Sequence, residues 1–170
     1  MKTQAVFFDR DGTLGDDARL EFPTQHVPFG FVFDVFAAIR AKGVRVFIFT
    51  NQACIARGKD GGYDFAAEFR AYGADDWFIC PHDGGDRCAC RKPANGLLLQ
   101  AREKYGLDLT RCVTVGDRTS DGLAGLSVGA RAVLVLTGRG AEEVKSAAFG
   151  QYKNQITVIR DIRNVPPLLS

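Results

Sequence analysis

Six short apolar runs punctuate this chain at intervals, and four of them end abruptly in polar residues that can do chemistry. They are Ala5–Phe8, Val44–Phe49, Trp77–Cys80, Cys112–Val115, Ala132–Leu136 and Ile156–Ile159. Each is too short for a buried helix and most are rich in Val, Ile and Phe, so each reads as a strand. Between them lie segments of helical periodicity. Pro28 opens one in which Val32, Val35, Phe36 and Ile39 share a face, ending at Gly43. Others are expected at 63–72, 96–105, from Asp121 to about Val128, and at 141–149. Strands alternating with helices specify an α/β protein with a mainly parallel sheet covered on both faces, a Rossmann-like three-layer α/β/α sandwich.

In such a sheet, ligands bind beyond the carboxyl ends of the strands. Asp9 and Asp11 follow the first run, Thr50, Asn51 and Gln52 the second, Gly116 and Asp117 the fourth, and Lys92 lies in the segment after the third. Residues more than a hundred positions apart are thereby expected at one edge. Taken alone, Asp9-Arg10-Asp11-Gly12-Thr13 also reads as an acidic turn after an edge strand. Crowded carboxylates repel one another unless a cation lies between them. Three acids with oxygen ligands suit Mg²⁺, and Thr50 and Lys92 offer a hydroxyl and an ammonium to a phosphoryl group. Of Asp9 and Asp11, one can attack phosphorus while the other handles protons. Neither a Walker loop nor a GxGxxG motif occurs, so no nucleotide cofactor is indicated.

The 170 residues fit one domain spanning 1–170, and a net charge of +2 leaves no electrostatic footprint for nucleic acid. No run of eighteen apolar residues is present to span a membrane. The first run begins at residue 5, which leaves no room for a signal peptide, so a cytoplasmic protein is expected. Five cysteines without an export signal argue against a disulfide framework. Four soft ligands, Cys80, His82, Cys88 and Cys90, fall within eleven residues. Three thiolates and one imidazole suit a closed, structural Zn²⁺ site in a loop at 80–90, directly before Arg91 and Lys92. Cys112 reads as a core residue, and His26 as a surface histidine in a polar flap that spans 14–27.

Phe7-Phe8-Asp9-Arg10-Asp11-Gly12-Thr13 resembles the first motif of the haloacid dehalogenase (HAD) superfamily of phosphohydrolases. Thr50 resembles its second motif, Lys92 its third, and Gly116-Asp117-Arg118-Thr119-Ser120-Asp121 its fourth. The resemblance covers nearly the whole chain. Thr50-Asn51-Gln52, Ile55-Ala56-Arg57-Gly58, Cys80-Pro81-His82, Cys88-Ala89-Cys90 and Arg91-Lys92-Pro93 are similar to a narrower group within it, the heptose bisphosphate and histidinol-phosphate phosphatases.

This resemblance implies a Mg²⁺-dependent phosphatase without a large cap domain. In it Asp9 is the nucleophile that becomes an aspartyl-phosphate, and Asp11 is the general acid and base. Thr50 and Lys92 hold the phosphoryl oxygens. Asp9, Asp11 (through its backbone carbonyl) and Asp117 bind the magnesium, with Asp121 supporting. Asn51, Arg57 and Arg91 contact the substrate. The implied partner is a small phosphorylated metabolite, with heptose 1,7-bisphosphate ranked first, then histidinol phosphate, then another sugar phosphate or a nucleic-acid-end phosphate, and the implied protein is a monomer. A catalytically silent, zinc-stabilised interaction module is the alternative from another class. Departures from the group lie around the mouth, at Gly15, Ala53-Cys54 and Ala94-Asn95-Gly96, and in a compact His82–Cys88 gap that is more similar to the histidinol-phosphate enzyme.

Overall fold

The computed structural model describes residues 2–16 and 20–169. The six runs form six strands: β1 Ala5–Phe8, β2 Arg45–Asn51, β3 Asp76–Cys80, β4 Cys112–Gly116, β5 Arg131–Val135 and β6 Ile156–Ile159. They make one sheet in the order β3-β2-β1-β4-β5-β6. Every pairing is parallel, with Phe8 opposite Ile48 of β2 and opposite Val115 of β4. This is the doubly wound Rossmann order. The chain winds outward from β1 in one direction and then, from β4, in the other, which opens a crevice between the carboxyl ends of β1 and β4.

All four residues of β1 are fully buried, because this strand is central and helices cover both its faces. Alternation along the strand divides its side chains between two layers. Val6 and Phe8 pack with Phe36 and Ile39 of helix α1 (Val32–Ala41) and with Phe69 of α3 (Phe65–Ala71). Phe7 meets Phe47, Phe49 and Phe78, under Leu97, Leu98 and Ala101 of α4 (Gly96–Tyr105). The Phe7 and Phe47 rings lie 5.1 Å apart, and Phe8 and Phe36 5.0 Å apart. Most of the thirteen phenylalanines therefore form the core, while Phe22 and Phe33 are exposed. Helix α5 (Thr119–Leu126) lies against β4 and β5.

Three local expectations need correction. The helix expected from Pro28 starts at Val32, because Phe29 N donates to Leu14 O and Pro28 bridges Gly15, which keeps this stretch extended. Strand β2 runs on through Thr50 and Asn51, and a short helix, α2 (Ala53–Ala56), follows it. The helix expected at 141–149 is two, α6 (Gly140–Glu143) and α7 (Ala147–Tyr152), since Ser146 turns extended and caps the second by accepting from Phe149 N. The 14–27 excursion is closed at its base by the Gly15–Pro28 bridge and contains a 3-10 turn at Pro23–Gln25; its residues 17–19 lie outside the described residues. No helix among the described residues is long and apolar enough to cross a membrane.

Candidate active site

A cleft of ≈280 Å³ opens over the β1–β4 crevice. Asp9, Asp11, Asn51, Lys92, Arg118 and Asp121 are among the residues lining it. They arrive from the carboxyl ends of β1, β2 and β4 and from the loop beyond β3. Asp9 follows β1, where its N–H bonds Val115 O at 2.9 Å and so continues the ladder with β4. Asp117 follows β4, and Asp121 sits in the first turn of α5, where its Oδ2 accepts from Arg118 N at 3.0 Å. Gly116 makes this geometry available: a Cβ there would lie 2.2 Å from Asp121 Oδ2.

Lys92 ties the acids together. Its ammonium is 2.7 Å from Asp9 Oδ1 and 2.7 Å from Asp121 Oδ1, and donates to Phe49 O at 2.9 Å. Burial pulls this lysine's pKa down, but Asp121 and Asp9 more than offset that and hold it above the ordinary value. Thr50 Oγ1 accepts from Gln52 Nε2 at 2.9 Å, and the same amide donates to Asp11 Oδ2 at 3.0 Å. Gln52 thereby spans the hydroxyl and the second acid.

The acids divide into two environments. Ligand atoms of Asp9, Asp117 and Asp121 lie within 4.8 Å of one another, all buried. Burial, then the charges of Asp9 and Asp121, push Asp117 up to about 8; burial and Asp9 push Asp121 up to about 6. Asp117 Oδ2 accepts from Arg139 N at 2.8 Å, whereas its buried Oδ1 has no hydrogen-bond partner among the described residues. A buried carboxylate oxygen without a donor, among like charges, fits a divalent cation coordinated by oxygen. The side chain of Asp11 stands outside this group, held by Arg10 Nη1 at 2.7 Å and by Gln52. Burial first, and then the charge of Asp9, raises its pKa, as suits a proton donor.

The structure places the remaining expected residues as follows. Both ends of the Asn51 amide engage Lys92's backbone, with Lys92 N donating to Oδ1 at 3.1 Å and Nδ2 donating to Lys92 O at 3.3 Å. Asn51 therefore grips the lysine's backbone from the cleft wall. Arg57 and Arg91 line the mouth. Arg57 is paired bidentately with Asp83 at 2.9 and 2.6 Å, and Arg91 Nη1 donates to His82 O at 3.1 Å. Cys80, His82, Cys88 and Cys90 converge. Their contacts run from 3.2 Å (Cys90 Sγ to His82 Nδ1) to 3.6 Å (Cys80 Sγ to Cys88 Sγ and to His82 Nδ1). A tetrahedron of Zn–S and Zn–N bonds has edges of about 3.4–3.8 Å, so the donor set and its spacing fit zinc.

Three further residues complete the site, of which Arg10 and Glu68 were not singled out from sequence. Arg10, fully buried, pairs with Glu68 of α3, and His26 is buried with its ring 3.8 Å from Asp11 and 3.7 Å from Glu68. The surface position expected for His26 is thus corrected: the bridge at Gly15–Pro28 folds its segment inward. Position 10 between two acids was a visible hint for Arg10, whereas Glu68 resembles any solvent-facing helix charge.

A family model described as HAD-hydrolase-like matches residues 89–164. A D-glycero-alpha-D-manno-heptose-1,7-bisphosphate 7-phosphatase of Campylobacter jejuni is 33% identical over 164 residues, which cover 91% of this chain and 92% of that one. This chain belongs to the HAD-like phosphatases. Another such relative, a D-glycero-beta-D-manno-heptose-1,7-bisphosphate 7-phosphatase of Pseudomonas aeruginosa, is 34% identical and covers 82% of this chain and 85% of its own. Among solved structures, the D,D-heptose 1,7-bisphosphate phosphatase of B. bronchiseptica, complexed with magnesium and phosphate, superposes with a TM-score of 0.84. The two are 27% identical, over 98% of this chain and 97% of that one. The HAD-like phosphatase relatives thus match the whole α/β core and act, by their names, on a sugar bisphosphate.

Proposed function

We propose that this HAD-like phosphatase removes the 7-phosphate of D-glycero-D-manno-heptose 1,7-bisphosphate by way of an aspartyl-phosphate on Asp9. The observation that carries the reading is the buried group of Asp9, Asp117 and Asp121 at an open cleft, with Asp9 and Asp121 both paired to Lys92. Asp9, Asp117 and the backbone carbonyl of Asp11 would hold Mg²⁺, with Asp121 beside them. When bound, the ion neutralises the crowded carboxylates and the charge on the phosphoryl oxygens.

A carboxylate oxygen of Asp9 attacks phosphorus and the bond to the leaving sugar oxygen breaks. Asp11 donates its proton to that oxygen. Water then attacks the phosphorus of the acyl phosphate, giving its proton to Asp11, and Asp9 and inorganic phosphate are regenerated. Thr50 and Lys92 hold the non-bridging oxygens, and Lys92 remains cationic because two carboxylates face it. Arg57 and Arg91, at the mouth, suit the second phosphate of a bisphosphate. Zn²⁺ on Cys80, His82, Cys88 and Cys90 would stiffen the loop that carries Arg91 and Lys92. A monomer acting in the cytoplasm completes the reading.

The test is Mg²⁺-dependent phosphate release from both anomers of heptose 1,7-bisphosphate and from histidinol phosphate. The bisphosphate should have the higher kcat/KM, and Asp9→Asn should lose at least about 10³-fold. Preference for histidinol phosphate overturns the substrate, and an active Asp9→Asn overturns the nucleophile.

A further inference from the structure

A buried network outside the phosphate site reaches Asp11 from behind. Arg10 has no solvent exposure, and its guanidinium lies against the rings of Tyr63 and Phe65, 5.7 and 5.4 Å from their centroids. Its Nε donates to Glu68 Oε1 at 2.9 Å and its Nη2 to Glu68 Oε2 at 2.9 Å. Nη2 also reaches Pro23 O at 2.9 Å, and Nη1 donates to Asp11 Oδ1 at 2.7 Å. Glu68 is itself held by the Tyr72 hydroxyl at 2.8 Å, with only 7% of its side chain exposed. Neither Arg10 nor Glu68 lines the cleft, so neither touches substrate.

We infer that Glu68 is a positioning residue: by fixing the Nε–Nη2 edge of the Arg10 guanidinium, it sets where Arg10 presents Nη1, and so where the Asp11 carboxyl group stands. The geometry explains why the network is built this way. A buried guanidinium needs a carboxylate. Glu68 supplies one on α3, leaving Asp11 with a single contact to Arg10 and its Oδ2 shared with Gln52. Without Glu68's charge, Asp11 is left as the carboxylate that must neutralise the guanidinium. A bidentate pair with Arg10 would then draw Asp11 away from the leaving oxygen. Phosphate binding, which rests on Thr50 and Lys92, meets this network through the Gln52 amide rather than through Arg10 or Glu68.

The inference rests on Asp11 acting as the general acid, and the experiment separates the two. Glu68→Gln is compared with the parent on an alkyl phosphate, the heptose bisphosphate, and on p-nitrophenyl phosphate, whose leaving group needs no proton. Because kcat/KM reports steps through formation of the acyl phosphate, a misplaced acid should lower it about 10–100-fold for the alkyl ester and under about 3-fold for the aryl ester. The KM for the alkyl ester should stay within about 2-fold. Asp11→Asn should show the same selectivity more strongly. If Asp11→Asn is selective and Glu68→Gln lowers both substrates equally, or neither, the positioning role is wrong. If Asp11→Asn is unselective, the acid assignment fails and the inference with it. Should Glu68→Gln not fold, Arg10→Met/Glu68→Met removes the buried pair together, and Asp11 loses its Arg10 contact while keeping Gln52; the same selectivity is expected, and its absence refutes the role.

Discussion

At the scale of single residues, the site is a set of charges that hold one another in place. Lys92 stands between Asp9 and Asp121, Asn51 grips its backbone, and Asp121 needs the space that Gly116 leaves empty. Gly116→Ala would drive a methyl group into Asp121 Oδ2, costing ~1–3 kcal/mol as overpacking and turning the carboxylate off the lysine. The expected outcome is a lower unfolding midpoint in urea together with at least about a 10-fold fall in kcat/KM; a Gly116→Ala variant with both parameters intact would contradict this account of the glycine. Which residues gather at the cleft was legible from the polar breaks after apolar runs, because a carboxylate that abuts a buried strand has few structural uses. Their partners were not legible. Arg10 and Glu68 are 58 positions apart, and nothing in a seven-residue amphipathic helix marks its one acid as buried.

At the scale of elements, strands were read well and boundaries less so. A run such as Val46-Phe47-Ile48-Phe49 can be satisfied only inside a sheet, whereas the start of α1 depends on a bridge between Gly15 and Pro28 that no local pattern encodes. The last residue of β3 and the loop after it carry the four soft ligands, and the loop then carries Arg91 and Lys92. Cys88→Ser should therefore lower bound zinc and activity together, with elemental analysis and kcat/KM falling in step; a one-to-one zinc content in that variant would sink the ligand assignment.

Helix α4 is pinned to β3 by Asp76, which takes Lys104 Nζ and the Tyr105 hydroxyl, both at 2.7 Å. Burial works against the Asp76 carboxylate, but Lys104 and Tyr105 leave its pKa below 3.8. A lowered carboxyl pKa contributes stability above the unfolded-state value and loses it as pH falls through the folded one. Asp76→Asn should thus cost roughly 0.5–1 kcal/mol at pH 7. That difference should shrink at pH 3, as urea titrations at the two pH values would reveal.

At the scale of the whole molecule, the strand order places the two strands that end in Asp9 and Asp117 side by side at the centre of the sheet. Their crowding has a global signature. In the metal-free protein Asp117 sits at about 8 and Asp121 at about 6, both raised from 3.8. Acids raised on folding favour the folded state fully below 3.8 and lose that contribution as pH rises through their folded values. The metal-free melting temperature should therefore drop between pH 5.5 and 8 by this contribution. Added Mg²⁺, which binds ionised carboxylates, should raise the melting temperature more at pH 8 than at pH 5.5. Scanning calorimetry with and without Mg²⁺ decides it: an equal rise at both pH values would remove the acid cluster as the binding site.

The Lys92–Asp9 contact spans 83 positions and the Lys92–Asp121 contact another 29. Seen in time rather than space, the lysine must wait for both halves of the winding. Until β4 and α5 dock beside β1, it has at most one of its two counter-ions. Contacts so remote along the chain form late in the search for the native state. Recovery of catalysis during refolding should accordingly trail recovery of helical circular dichroism, so that turnover itself reports the closing of the topology.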